Sequence, residues 1–185
     1  MRGMSAAFEE KIASPNQYYF GITGKMGTEN TEFIAYVVNG EKGNIVNMGS
    51  PMSMPAGYLS IYKEKANLQA KINPDSLGIV YELESYENND GKQVYIVNKY
   101  SGNGTVKTKQ YYDANSFLLI KEVEEQIGSG AVTTTTYKDY KEVKGGNGLK
   151  MPFVIETDRD GNTTILNYEV IKVNGKIPAV YFKIK

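Results

Sequence analysis

From Tyr18 onward, apolar and polar residues alternate with a period of two, as expected of strands whose successive side chains face opposite sides of a sheet. This alternation predicts strands at Tyr18–Lys25, Thr31–Val38, Asn44–Met48, Gly78–Ser85, Gln93–Tyr100, Thr105–Tyr112, Phe117–Glu125, Val132–Tyr140, Met151–Asp158 and Thr163–Val173. A short last strand is expected near Val180–Ile184. Two stretches depart from it. Met4, Phe8 and Ile12 recur at a spacing of four, which predicts a short N-terminal helix within residues 1–16, closed by Pro15 and Asn16. Within residues 53–69, Leu59, Tyr62 and Ala66 fall on one helical stripe, with Ser53 as a candidate N-cap and Pro55 at the first turn. This second helix is expected to cross one face or mouth of the sheet.

The joints between strands strengthen the β reading. Asn39-Gly40, Asp90-Gly91 and Asp160-Gly161 accept the positive φ angles of tight hairpin turns. Gly102-Asn103-Gly104, Gly128-Ser129-Gly130 and Gly145-Gly146-Asn147-Gly148 suit slightly longer connections. Hairpins join antiparallel neighbours, so the expected architecture is mainly β (α+β): a continuous antiparallel meander with one or two helices as lid or plug. In Ile79-Val80-Tyr81-Glu82-Leu83 both faces begin apolar and one turns acidic, as in a curved sheet wrapped round a core.

At 185 residues the chain fits a single domain, 1–185, able to bury a core without covalent staples. Its 21 basic and 21 acidic residues cancel, with no basic arm or acidic tail, so charge argues against nucleic acid as a partner. There is no cysteine and no histidine. That removes disulfides, thiolate nucleophiles, the Ser/His/Asp and Cys/His arrangements, and the common zinc sites. No catalytic residue, metal ligand or cofactor site is therefore assigned. No continuous apolar run marks a signal peptide or a membrane span. The chain is either cytoplasmic or a mature or excised piece whose export signal has been removed.

Several stretches invite chemistry. Asp158-Arg159-Asp160-Gly161-Asn162 superficially suggests a calcium loop, but glycine sits fourth instead of sixth, and Asp-Gly is a favoured hairpin pair. The glycine clusters lack the phosphate-loop pattern and are read as turns. Glu122, Glu124 and Glu125, and separately Glu84 and Glu87, are read as solvated faces; Glu122 and Glu124 share a face by alternation. The most suggestive stretch is Met48, Met52 and Met54 followed by Tyr58, Leu59 and Tyr62. Flexible thioethers and amphipathic tyrosines suit a surface that repacks around apolar ligands. The same residues would equally plug the barrel or seat the helix on the sheet.

The second half of the chain carries a family resemblance. "YYDANSFLLIKEVEE" (Tyr111 to Glu125), "TTTTYKDYKEV" (Thr133 to Val143), "GLKMPFVIET" (Gly148 to Thr157) and the close "YEVIKVNGKIPAVYFKIK" follow in an order that resembles the bacterial LolA/LolB-like lipoprotein-carrier superfamily, especially divergent envelope members from Bacteroidetes. The resemblance implies an incomplete, strongly curved antiparallel half-barrel with helices as a lid over an apolar cavity. It also implies a place in the periplasm or outer cell envelope. Its implied partners are an apolar small molecule, a lipid or a lipoprotein acyl chain. The expected activity is non-enzymatic binding, with Met48, Met52, Met54, Tyr58, Leu59 and Tyr62 at the mouth. Similar domains accompany insulinase-type zinc peptidases, which implies an alternative: a structural or interaction module on a larger envelope protein. The arginine with which the carriers hold their lid has no match here.

Overall fold

The computed structural model describes residues 6–26, 28–71, 73–89, 91–101, 106–126 and 130–184. The chain divides into two compact units, Met1–Pro74 with Lys176–Lys185, and Asp75–Gly175. Each is an open antiparallel meander, mainly β as the alternation predicts, and neither closes into a barrel.

The first unit is a five-stranded sheet in sequence order: β1 (Ala7–Ala13), β2 (Gln17–Met26), β3 (Glu29–Asn39), β4 (Lys42–Asn47) and β5 (Ser50–Ser53). One α-helix, α1 (Ala56–Ala66), follows it. Both faces of the sheet are buried. On one, Tyr18 and Val38 meet Met54 and Ala66, with Phe20, Tyr36, Leu59 and Tyr62 packed around them. On the other, Tyr19, Ala35, Val37 and Val46 meet Phe182, with Ile177, Tyr181 and Ile184 alongside. The adjacent tyrosines 18 and 19 thus serve opposite cores, as the period of two dictates. The helix covers one face and the returning C-terminal segment the other.

Three expectations fail here for identifiable reasons. The N-terminal segment is the strand β1, not a helix: Ala7 to Ala13 pair with Thr23 to Gln17 of β2. Residues four apart share a face in a strand as well as in a helix, so the spacing of Phe8 and Ile12 did not discriminate, and pairing with β2 decides; Met4 lies outside the described residues. The expected last strand is a 3-10 turn, Ala179–Phe182, which follows Pro178 and drops Phe182 into the core at 2% exposure. The lid helix is shorter than 53–69. Ser53 ends β5, Pro55 occupies the N-cap without a side-chain cap, and Asn67 closes the helix through its N–H to Lys63 and Glu64 carbonyls at 3.1 and 3.2 Å. Its buried stripe is the expected one, with Ala66 fully buried and Leu59 and Tyr62 half-buried.

The second unit is a seven-stranded meander: β6 (Val80–Asn89), β7 (Lys92–Ser101), β8 (Val106–Asp113), β9 (Leu119–Gln126), β10 (Val132–Glu142), β11 (Lys150–Arg159) and β12 (Asn162–Asn167). The strand expected over Thr163–Val173 stops early, because its register against β11 ends at Val154 opposite Asn167. The supposed calcium loop is the β11–β12 hairpin. Asp160 and Gly161 both take positive φ, 53° and 78°, and Asp158 accepts from the Gly161 N–H at 3.3 Å and the Thr163 hydroxyl at 3.0 Å. The turns at Gly102-Asn103-Gly104 and Gly128-Ser129, and Asp90, lie outside the described residues.

Candidate functional site

The six residues singled out by sequence all fall in the first unit, but only half of them converge. Met54, Leu59 and Tyr62 lie between α1 and the sheet. Met48, in a turn with φ of 47°, Met52 on β5 and Tyr58 on α1 are exposed. Tyr62 is the centre of the inner group. Its ring stacks on Tyr36 with centroids 5.0 Å apart and tilts against Tyr18 at 5.1 Å. Burial, then the neighbouring Tyr36 and Tyr58 hydroxyls and Glu10, push its phenol well above the ordinary tyrosine value. Tyr18 in turn donates to Glu10 at 2.7 Å.

Beside this group Met54 and Leu59 line a cleft of about 410 Å³ together with Gly43, Asn44, Pro51 and Ser53. Gly43 approaches both side chains closely. A Cβ there would sit 3.0 Å from both Leu59 Cδ1 and Met54 Sδ. The helix is apolar on its outer side as well: Tyr58 and Ile61, three residues apart, are 51% and 50% exposed. The segment therefore carries two apolar stripes, one seated on the sheet and one facing outward.

Sequence reasoning missed a polar cluster in the second unit. Glu122 was read with Glu124 as a solvated face. Glu124 is exposed, but Glu122 is half-buried. The β8–β9–β10 register sets Glu122 between Gln110 and Thr135, with Tyr137 two positions beyond Thr135 on the same face. Gln110 Nε2 donates to the carboxylate at 2.5 Å, and the Tyr137 hydroxyl donates to its other oxygen. Tyr112 donates to Gln110 Oε1 at 2.9 Å, and Tyr140 to the Leu119 carbonyl at 2.6 Å. Burial raises all three phenols, assisted by the Glu122 charge. Tyr112 and Tyr140 are pushed up to about 12, and Tyr137 further still. The only signal in the sequence was the alternation Gln110-x-Tyr112 and Thr135-x-Tyr137, which acquires meaning once both hairpin registers are known.

Among the described residues, no group of three or more acidic, histidine or cysteine side chains is arranged to hold a metal, and no helix is long and apolar enough to cross a membrane. No protein-family model and no curated protein matches the sequence. The fold, however, has solved counterparts. A LolA superfamily protein from Nitrosomonas europaea is similar with a TM-score of 0.68 at 14% identity, over 97% of this chain and 81% of that one. The chain has a LolA-like fold. A domain from Vibrio parahaemolyticus described as an outer membrane lipoprotein-sorting protein matches with a TM-score of 0.58 at 10% identity, over 89% and 81% of the two chains. A DUF1329 family protein from Desulfovibrio piger matches with 0.59 at 11%, over 90% and 82%. The LolA-like architecture implied by the second-half motifs is thus the observed one, and at these identities what is shared is the fold.

Proposed function

We propose that the chain is a non-enzymatic binding protein of the bacterial cell envelope that holds an apolar ligand, a lipid or the acyl chain of a lipidated protein. The LolA-like likeness over 97% of the chain supports treating both units as one such domain. The observation that carries the reading is the doubly apolar helix α1. Its inner stripe is satisfied by the sheet, whereas Tyr58 and Ile61 remain 51% and 50% exposed. Met52 and Tyr58 would meet the ligand first. Met48 would border it, and Met54, Leu59 and Tyr62 would repack beneath. Each CH₂ removed from water contributes about 0.8 kcal/mol, so a modest apolar contact retains an acyl chain without specific polar chemistry.

The test is native mass spectrometry of protein purified gently from its own host, followed by lipid extraction. An acyl species in stoichiometric amount is expected. Ile61→Asp, at an exposed position, is expected to weaken uptake of a hydrophobic dye severalfold with thermal unfolding unchanged. A clean apo mass with no dye uptake by the parent protein would sink the reading. A second reading has its own observation. Met54, Leu59 and Tyr62 already fill the space between helix and sheet, which favours a structural or interaction module attached to a larger envelope protein, such as a zinc-peptidase-like one. That module is the reading left standing by an apo result.

A further inference from the structure

The β9–β10 ladder is incomplete. The two strands pair from Glu125 opposite Val132 to Lys121 opposite Thr136 and no further. Beyond that point β10 continues along β11. The start of β9 stays with β8, across an irregularity that sets Tyr111 opposite Lys121 and Tyr112 opposite Leu119. The strands diverge, and a cleft of about 550 Å³ opens between Leu118–Lys121 and Thr136–Tyr140. That size lies within the roughly 300–1,000 Å³ of small-molecule sites. Its apolar lining includes the half-buried Leu118 and Ile120.

The charges around this cleft are unequally committed. Asp113 is held by its own turn, accepting from the Asn115 N–H at 3.1 Å and from the Ser116 N–H and hydroxyl at 2.8 Å each. Lys138 pairs with Glu156 at 2.6 Å, and Asp139 with Lys141 at 2.7 Å. Lys121 is different. Its ammonium lies 4.1 Å over the Tyr111 ring, and among the described residues it has no carboxylate at ion-pair distance. Register places Tyr111, Lys121 and Thr136 in one row on one face. Lys92 also lines the cleft, where its charge already acts on Asp113. A cation poised on an aromatic ring beside an apolar floor is matched by a molecule with one anionic end and an apolar body.

We propose that the cleft where β9 parts from β10 binds a monoanionic amphiphile, its carboxylate on Lys121 and its hydrocarbon against Leu118 and Ile120. This site lies wholly within the second unit and is independent of the α1 surface proposed above.

The experiment titrates the full chain with dodecanoate and with dodecanol below their aggregation limits, following backbone amide shifts by NMR. Dodecanoate is expected to shift amides of Leu118–Lys121 and Thr136–Tyr140. Lys121→Gln is expected to weaken it about tenfold, a charge-assisted contact's worth, and to leave dodecanol unchanged; Lys92→Gln gives a smaller loss in the same direction. Ile61→Asp is expected to leave these shifts intact, which separates this site from the helix surface. Dodecanoate binding that is equal in parent and Lys121→Gln protein, dodecanoate shifts confined to α1, or no binding at all would each overturn the proposal.

Discussion

At the scale of single residues, the second unit is organised around one carboxylate. Glu122 accepts from Gln110 and Tyr137, so truncating it leaves one buried and one half-buried donor without their acceptor. Glu122→Ala is expected to cost about 1–3 kcal/mol in chemical denaturation, and Glu122→Gln, which keeps an acceptor oxygen, distinctly less. The tyrosines around it make a second prediction. A phenol whose folded pKa is raised is held neutral by the fold, so its contribution is complete below the unfolded value of 10.0 and is lost as pH rises through about 12. Thermal unfolding midpoints are expected to fall between pH 10 and about pH 12. Tyr112→Phe, which has no proton to lose, is expected to flatten part of that decline; an identical decline in the variant would discard the assignment.

At the scale of elements, the first sheet is built with both faces needing cover. Helix α1 closes one. The C-terminal turn closes the other, where Phe182 is almost wholly buried, Tyr181 meets Tyr19 edge-on at 5.0 Å and Asn39 donates to the Phe182 carbonyl at 3.1 Å. Phe182→Ala is expected to cost about 3–5 kcal/mol, and Phe182→Leu markedly less, measured by urea unfolding. An effect below about 1 kcal/mol for the alanine variant would show that the segment decorates the sheet instead of completing it. The same scale shows how legible the chain was. Eleven strands are expected on alternation and turns, and ten of those positions carry strands, because a period of two and a Gly-containing turn are local properties. β1 was misread because its spacing fits two geometries. β5 was overlooked because Ser50–Ser53 has one apolar side chain per face at most, and only pairing with β4 makes it a strand.

For the molecule as a whole, the exposed side of α1 is where a lipid reading can fail or stand. If the ligand binds the folded chain alone, saturating it must raise the unfolding midpoint by mass action. The acyl species recovered by mass spectrometry is therefore expected to stabilise the parent protein when added back, and Ile61→Asp less so. The candidate site itself was half legible. Composition pointed to Met48, Met52, Met54, Tyr58, Leu59 and Tyr62, and helical spacing separated Leu59 and Tyr62 from their neighbours. Which of them face the sheet and which face outward depends on where β2 and β3 run beneath the helix, and no local pattern contains that.

The sequence by itself determined the strand-rich class, the places of the hairpins, the inner stripe of α1 and the absence of histidine and cysteine chemistry. These rest on periodicity, turn conformation and composition, all properties of residues near one another in the chain. Only the tertiary structure decided the fate of groups whose neighbours come from distant segments. It made residues 7–13 a strand, buried Phe182 against Tyr19 and Val37, drew Gln110 and Tyr137 onto Glu122, and opened the ladder beside Lys121. Each of those outcomes is a cross-strand or cross-layer contact, set by register and packing, and register is fixed by the whole sheet together.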